Sequence, residues 1–287
     1  MKKYNIMSIC CALLCMLSSS IGLFYSFGGS RYVVNNIYGE EIEIYGDGIY
    51  ANDTLLKVGG TRGADLTVLL IGALLVGLAL WKTKKRSIFY IQAGLLVSLF
   101  YNTSCLILGN TFNQLFLVYL VQFSLLFFTL FFLVNDLMKR EDLQQLQELK
   151  STGTAVFLMI AGCSVLIWLT IIIPALINKV PIETIDIYTT EPTFVFDLGL
   201  ILPFYWICGI QILKKKVNGY KMAAILLTFL CIIGISVIFQ TIIQIDLGIT
   251  IEAGQLVGMV ASFVILAIIS VVQLIKIIKK MNQCDIK

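Results

Sequence analysis

The chain of 287 residues contains no histidine. That absence removes the commonest general base, the Ser-His-Asp triad and the imidazole ligands of zinc sites. Charge is scarce too: acidic and basic residues make up 13% of the chain against 59% hydrophobic, for a mean hydropathy of +0.92. A soluble globule could not coat itself with so little polar surface, so the composition puts the chain in a lipid bilayer. No C-x-x-C, nucleotide-binding loop or paired-carboxylate motif occurs. The eight cysteines avoid exterior loops: Cys10, Cys11, Cys15, Cys105, Cys163, Cys208 and Cys231 lie in apolar runs and Cys284 in the C-terminal tail. A disulfide-stapled outer domain is thereby excluded, and the cysteines are read as packing residues. No cofactor, metal site or catalytic residue is expected.

What the chain has is apolar length. A spanning helix needs about 20 largely apolar residues, and windows near 5–28, 65–81, 87–108, 112–134, 153–177, 197–213, 219–243 and 254–275 qualify. The first begins after Lys2 and Lys3 and continues past Ser18-Ser19-Ser20 to Phe27, which reads as an uncleaved anchor rather than a leader cut after Ser20. An even number of spans puts both termini on one face. That face collects 17 of the 21 basic residues, including Lys82, Arg86, Lys214, Lys221 and Lys280, and leaves Arg31, Lys57, Arg62 and Lys179 opposite. The positive-inside rule then makes both termini cytoplasmic. Of the 17 acids, 12 lie outside, so the exterior carries −8 and the interior +12 beneath a net charge of +4. The basic clusters sit at helix ends without interleaved aromatics. They fit topology and anionic lipid headgroups, and exclude nucleic acid as a partner.

The chain also repeats itself. Asp65 is followed by sixteen mostly apolar residues to Trp81 and then Lys82; Asp197 is followed by sixteen to Leu213 and then Lys214. With a two-residue deletion, Tyr90, Ala93 and Ser98 align with Tyr220, Ala223 and Thr228, and IEIY at 42–45 is echoed by IDIY at 185–188. Such self-similarity marks a unit used twice. Because both copies enter from the cytoplasm, they are parallel and related by an axis along the membrane normal. The expected fold is therefore an all-α integral membrane protein with eight transmembrane helices in two parallel four-helix repeats, residues 1–134 and 153–287.

Three pieces lie outside the spans. The segment 29–64 carries EIEIYGDGIY, whose alternation and turn at Gly46-Asp47-Gly48 read as a β-hairpin forming a small exterior cap. It is expected to rest on the helix ends or pair with the exterior segment 178–196. Residues 135–152, with Leu143, Leu146 and Leu149 among polar neighbours, read as an amphipathic helix joining the halves along the inner surface.

The candidate polar pocket is Asp65, Asp197, Gly199, Pro203, Tyr205, Asn102 and Gln122. Asp65 and Asp197 read either as caps at the outer starts of their helices or as acids in a crevice that binds a cation or proton. Pro203 lacks an N–H for the Gly199 carbonyl, which could join the carboxylate, Tyr205 and Trp206 in a pocket or simply mark a packing kink. Asn102 and Gln122 are deep enough to need partners on other helices, and Gly254, Gly258 and Ser262 form a small-residue stripe that suits close packing.

The segments YGDGIYANDT (45–54), RGAD (62–65), NQLFLVYL (113–120), DLG with Pro203, and Gly219-Tyr220 together resemble a family of uncharacterised bacterial polytopic membrane proteins. Members often carry Trp before the Gly-Tyr pair where this chain has Asn218. The resemblance implies an eight-span architecture in a bacterial cytoplasmic membrane and supplies no mechanism. The expected function is carrier or channel-like transport of a small solute, cation or lipid between the halves. The alternative is a non-catalytic sensor or accessory subunit that meets an envelope protein partner through the acidic hairpin. A lipid-active enzyme ranks behind both.

Overall fold

Long apolar runs suit helices, which satisfy their own backbone hydrogen bonds within one segment, as hydrocarbon would require. The computed structural model describes residues 2–83, 85–140, 143–149 and 151–284, with 183, 255 and 259 described by backbone alone. Four unbroken helices come first: α1 (Lys2–Phe24), α2 (Leu55–Leu80), α3 (Ile88–Gly109) and α4 (Phe116–Met138). The fifth span, Thr152–Asn178, is α5 (Thr152–Cys163) and α6 (Leu169–Asn178) joined by the 3-10 turn Ser164–Trp168. The sixth, Pro192–Leu213, is α7 (Pro192–Phe196) and α8 (Leu202–Leu213) joined by a π-helical turn at Asp197–Ile201. The seventh is the continuous α9 (Val217–Asp246). After the single turn α10 (Ala253–Gln255), the eighth passes through a π-helical turn at Leu256–Ala261 into α11 (Ser262–Cys284). All eight are long and apolar enough to cross a membrane, and together they suggest a multi-pass membrane protein.

The second span starts well before the expected residue 65. Its outer turns hold Lys57 and Arg62, which looked like loop, but Thr54 caps the helix by accepting from the Lys57 amide at 3.4 Å. Both cations then meet partners in the protein: Lys57 pairs with Glu191 at 2.6 Å, and Arg62 donates to the Tyr45 hydroxyl and the Leu23 carbonyl while its Nε stays buried without a partner.

At the centre of the bundle, α9 packs against α2, α3, α8 and α11. Glycine allows the closest crossings, as small residues do between membrane helices. A Cβ on Gly63 of α2 would sit 2.7 Å from the Phe239 carbonyl carbon, and one on Gly94 of α3 would sit 2.7 Å from the Ile225 carbonyl oxygen. The expected stripe at Gly254 and Gly258 makes no such contact, since a Cβ at either meets open space. The eighth span approaches α9 through Gly234 instead, against Ala267 and Phe263.

The ends of the helices alternate as eight antiparallel spans require. At the basic end, Tyr4 donates to Asp136, Ser87 to Asn282 at 2.5 Å, and Lys280 lies 3.4 Å from Glu148. The expected amphipathic connector is not a long surface helix. It is a short 3-10 turn, Gln144–Glu148, with Leu143 and Leu146 buried in the core against α9 and α11; Glu141, Asp142 and Lys150 lie outside the described residues. Three-residue leucine spacing suits a 3-10 turn as well as an α-helix, and burial decided between them. Buried Lys221 reaches the end of α4, donating to the Met138 carbonyl at 2.8 Å and to the Arg140 carbonyl.

The expected hairpin exists but not where the alternation put it. β1 (Tyr32–Asn35) pairs antiparallel with β2 (Glu41–Ile44), so Asn36 to Glu40 form the turn. Gly46-Asp47-Gly48 instead folds the chain back on α1: the Asp47 carboxylate accepts from Ser26 Oγ at 2.6 Å and from the amides of Phe27, Gly28 and Gly29. Because Gly46 and Gly48 both have positive φ, they can turn the loop that aims it. IDIY is not a strand either. Its residues form turns, and they reach the first exterior segment through side chains and a carbonyl rather than a shared sheet.

Candidate functional site

A cavity of about 700 Å³ lies among the helices, lined by residues of both the first four spans and the last four. Asp65, Asp197, Tyr205, Asn102 and Gln122 all line it; Gly199 and Pro203 do not.

Against one of the two expectations, neither aspartate caps the start of an α-helix. Asp65 lies ten residues inside α2, and Asp197 lies five residues beyond the start of α7, whose cap is Glu191. Asp65 is 3% exposed and its Oδ2 accepts from the Tyr50 hydroxyl at 2.8 Å. Tyr50 gets there from the exterior cap because Gly22 of α1 has no side chain; a Cβ there would stand 2.5 Å from the hydroxyl. Asp197 is 8% exposed, with Oδ1 accepting from Tyr101 of α3 and Oδ2 from Trp168 Nε1 of the fifth span, both at 2.8 Å. Each acid thus receives neutral donors. Among the described residues neither forms an ion pair.

The proline pocket is not formed. The helix widens one turn ahead of Pro203, where the Leu202 amide bonds to the Asp197 carbonyl, five residues back. That widening accommodates the missing N–H and the ring without aiming Gly199 inward. Gly199, Pro203 and Trp206 face outward, whereas Tyr205 turns in and donates to the Leu226 carbonyl at 3.0 Å. Gln122 bonds across helices as expected, to the Leu14 carbonyl and Ser18 Oγ of α1. Asn102 does not: its amide donates to Ser98 O one turn back on its own helix, although the residue still borders the cavity.

The outer rim was not legible as a site. Lys57, 2.6 Å from Glu191, also sits 4.7 Å above the Tyr188 ring, joining α2 to the segment before α7. Beside it, fully buried Asp53 accepts from the Thr111 amide at 2.8 Å, Asn110 Nδ2 at 3.1 Å and the Tyr188 hydroxyl at 2.9 Å, so one carboxylate ties three exterior segments together. Burial pushes the Asp53 carboxyl above its usual range in spite of those bonds, and also raises Asp186 and the Tyr188 phenol. Asp47 goes the other way, lowered to about 2 chiefly by the Ser26 hydroxyl, with backbone amides helping. Glu191-Pro192-Thr193 carried a readable signal, an acid before a proline at a helix start; nothing in the sequence marked Trp168.

Among the described residues no group of three or more Cys, Asp or Glu is arranged to hold a metal ion. No protein-family model, curated protein or solved structure matches the chain.

Proposed function

We propose that the protein is a carrier or channel-like transporter that moves a small solute, cation or lipid through the space between its first four and last four spans, and that those halves descend from one duplicated four-helix module. The observation that carries this reading is the shared cavity bordered by both Asp65 and Asp197. Buried acids of membrane proteins commonly mark ion or substrate pathways. Irregular helix often marks functional sites, and the 3-10 turn at Ser164–Trp168 and the π turns at Asp197–Ile201 and Leu256–Ala261 all contribute lining residues. The duplication is supported by Ser98 and Thr228, which align in sequence and each bond back to the carbonyl four residues earlier. With the resemblance to bacterial polytopic proteins and the basic end, the proposed setting is a bacterial cytoplasmic membrane with both termini inside.

The test is flux in proteoliposomes loaded with candidate solutes and cations under an imposed proton or sodium gradient. Asp65→Asn and Asp197→Asn should each lower the flux at least tenfold. Unchanged flux in both variants would remove the acids from the mechanism.

One observation favours a second reading, a sensor or accessory subunit. The hairpin presents exposed apolar residues, with Val33 at 59% and Ile37 at 86%, and single exposed hairpins of this kind suit partner contact. Replacing Asn36 to Glu40 by a two-residue turn separates the readings, because a carrier keeps its flux and a sensor loses capture of its envelope partner. The replacement spares Tyr50 and Asp53, which hold the cap together.

A further inference from the structure

We infer that the cavity is a site for a hydrophobic organic cation, an amphiphilic ammonium or phosphonium, held between Asp65 and Asp197. The inference deepens the transport reading by naming the ligand class, and it rests on that reading only for the cation's being moved rather than merely bound.

Charge comes first. The lining includes four acids, Asp65, Asp186, Glu191 and Asp197, against the single ammonium of Lys57. Lys57 is already committed to Glu191 at 2.6 Å. Asp65 and Asp197 are each more than nine-tenths buried, line the cavity and, among the described residues, lack an ion-pair partner. A carboxylate removed from water needs a counter-charge or a proton. Arg62, three residues before Asp65 on α2, is committed to the Tyr45 hydroxyl and the Leu23 carbonyl and does not line the cavity, so the space beside each acid is open to a cation.

Size and surface narrow the class. A bare metal ion needs a tight cage of oxygens at about 2.0 to 2.6 Å, and among the described residues no group of three or more Cys, Asp or Glu is arranged to anchor one. About 700 Å³ is instead the scale of a pocket for a drug-sized organic molecule. Its wall is largely aliphatic and aromatic, with the rings of Tyr101, Trp168, Phe194, Tyr205, Phe229 and Phe263 contributing. Aromatic faces attract organic cations by their quadrupoles, and apolar walls reward a ligand with a hydrocarbon body. The donors already on the two carboxylates, Tyr50, Tyr101 and Trp168, fix the oxygens in place without neutralising them. Anionic solutes and anionic lipid headgroups are disfavoured by the same arrangement.

The test uses the full-length protein in nanodiscs and two probes of nearly the same shape and opposite charge, tetraphenylphosphonium and tetraphenylborate, with binding to empty nanodiscs subtracted. Saturable one-to-one binding of the phosphonium is expected, at least tenfold tighter than the borate. Asp65→Asn and Asp197→Asn should each weaken it about tenfold, while Asp47→Asn, remote from the cavity, should leave it unchanged. Thermal unfolding of each variant shows whether the fold is retained. Equal affinity for both probes, or phosphonium binding unaffected in both folded cavity variants, overturns the inference. Proteoliposome flux distinguishes the two levels: binding without flux supports the ligand class and ends the carrier reading, whereas gradient-driven flux of another solute without phosphonium binding ends the ligand class and leaves the carrier reading standing.

Discussion

The two sides of the cavity are built differently. On one side α1 to α4 are continuous helices, and Asp65 is braced from outside the bundle by Tyr50 of the exterior cap. On the other side three of the four spans are irregular where they meet the cavity, and Asp197 is held by Trp168 from a broken turn of its own half and by Tyr101 from the opposite half. Burial follows regularity rather than half: 44% of the apolar window of α2 and 61% of that of the continuous α9 are buried, against 22% for the fifth and sixth spans and 6% for the eighth. The difference has local chemical causes. Ser164 and Thr170 each bond back to the carbonyl three residues earlier, which competes with the α-helical ladder, and Pro203 removes a donor just after the turn that widens. A regular half faces a half with weak points along the cavity, the asymmetry that the proposed carrier would need if one part is to move against the other.

The sharpest way to break the comparison is to remove the irregularity. Deleting Gly199 should convert the π turn at Asp197–Ile201 to ordinary α-helix. The glycine faces open space, so no contact is lost with it, and the widened turn holds the one extra residue. Closing it to α-helix keeps α7 and α8 in register but shifts Asp197, the first residue of the turn, relative to Tyr101 and Trp168. Flux should fall more than tenfold in a protein that still folds. The matched deletion of Leu70, partly exposed in the middle of α2, has no widened turn to absorb it. It should cost the fold itself, seen as loss of the monodisperse peak on size-exclusion chromatography. Equal tolerance of both deletions would show that the halves do not differ in this way.

How much of this could be read in advance depended on what the signal measured. Hydropathy located the eight spans because each is long enough for its average to dominate local exceptions. It missed the start of α2 by ten residues, since Lys57 and Arg62 look like loop until Glu191, Tyr45 and the Leu23 carbonyl are in place to satisfy them. The similarity of the two segments singled out Asp65 and Asp197 without deciding between helix caps and crevice acids, and it did not point to their partners, because Tyr50 and Trp168 lie far from them in sequence. The hairpin was misplaced because alternation in EIEIYGDGIY is blind to which strand is the partner, and Asp47 had a stronger use for its carboxylate in the amides of Phe27 to Gly29. Pro203 correctly marked a disturbed helix. Which way a disturbed helix faces is decided by neighbours, and Gly199 was turned outward.

A smaller effect sharpens the packing side of the comparison. Gly63→Ala, where the new methyl would meet the backbone of α9, should destabilise by about 1 to 2 kcal/mol after the helix propensity of alanine is set against the overpacking. Gly258→Ala, in open space at the cavity edge, should leave the unfolding temperature unchanged or slightly higher. Thermal unfolding of the pair in one detergent reads the difference directly. A larger loss from Gly258→Ala than from Gly63→Ala would mean that the eighth span is packed more tightly than its exposure implies.

The smallest expected effect separates the exterior cap from the joint between the halves, and it depends on two aspartates of opposite sign. Asp47, lowered to about 2 by Ser26 and the nearby amides, contributes stability that is present above the ordinary carboxylate value of 3.8 and lost as pH falls from there toward 2. The group is open to solvent, so the contribution is small. Asp53 is raised by burial, so its charge opposes folding: that cost is absent below 3.8 and grows as pH rises through its higher folded value. Asp47→Asn should therefore flatten the stability profile only below about pH 4, and Asp53→Asn only above it. Their structural consequences should differ as well. Asp47 bonds only within the first exterior segment, whereas Asp53 accepts from Tyr188 of the second. Hydrogen exchange at residues 185–188 should accelerate in Asp53→Asn and stay unchanged in Asp47→Asn, because only the former loosens the tie that lets the regular half hold the irregular one.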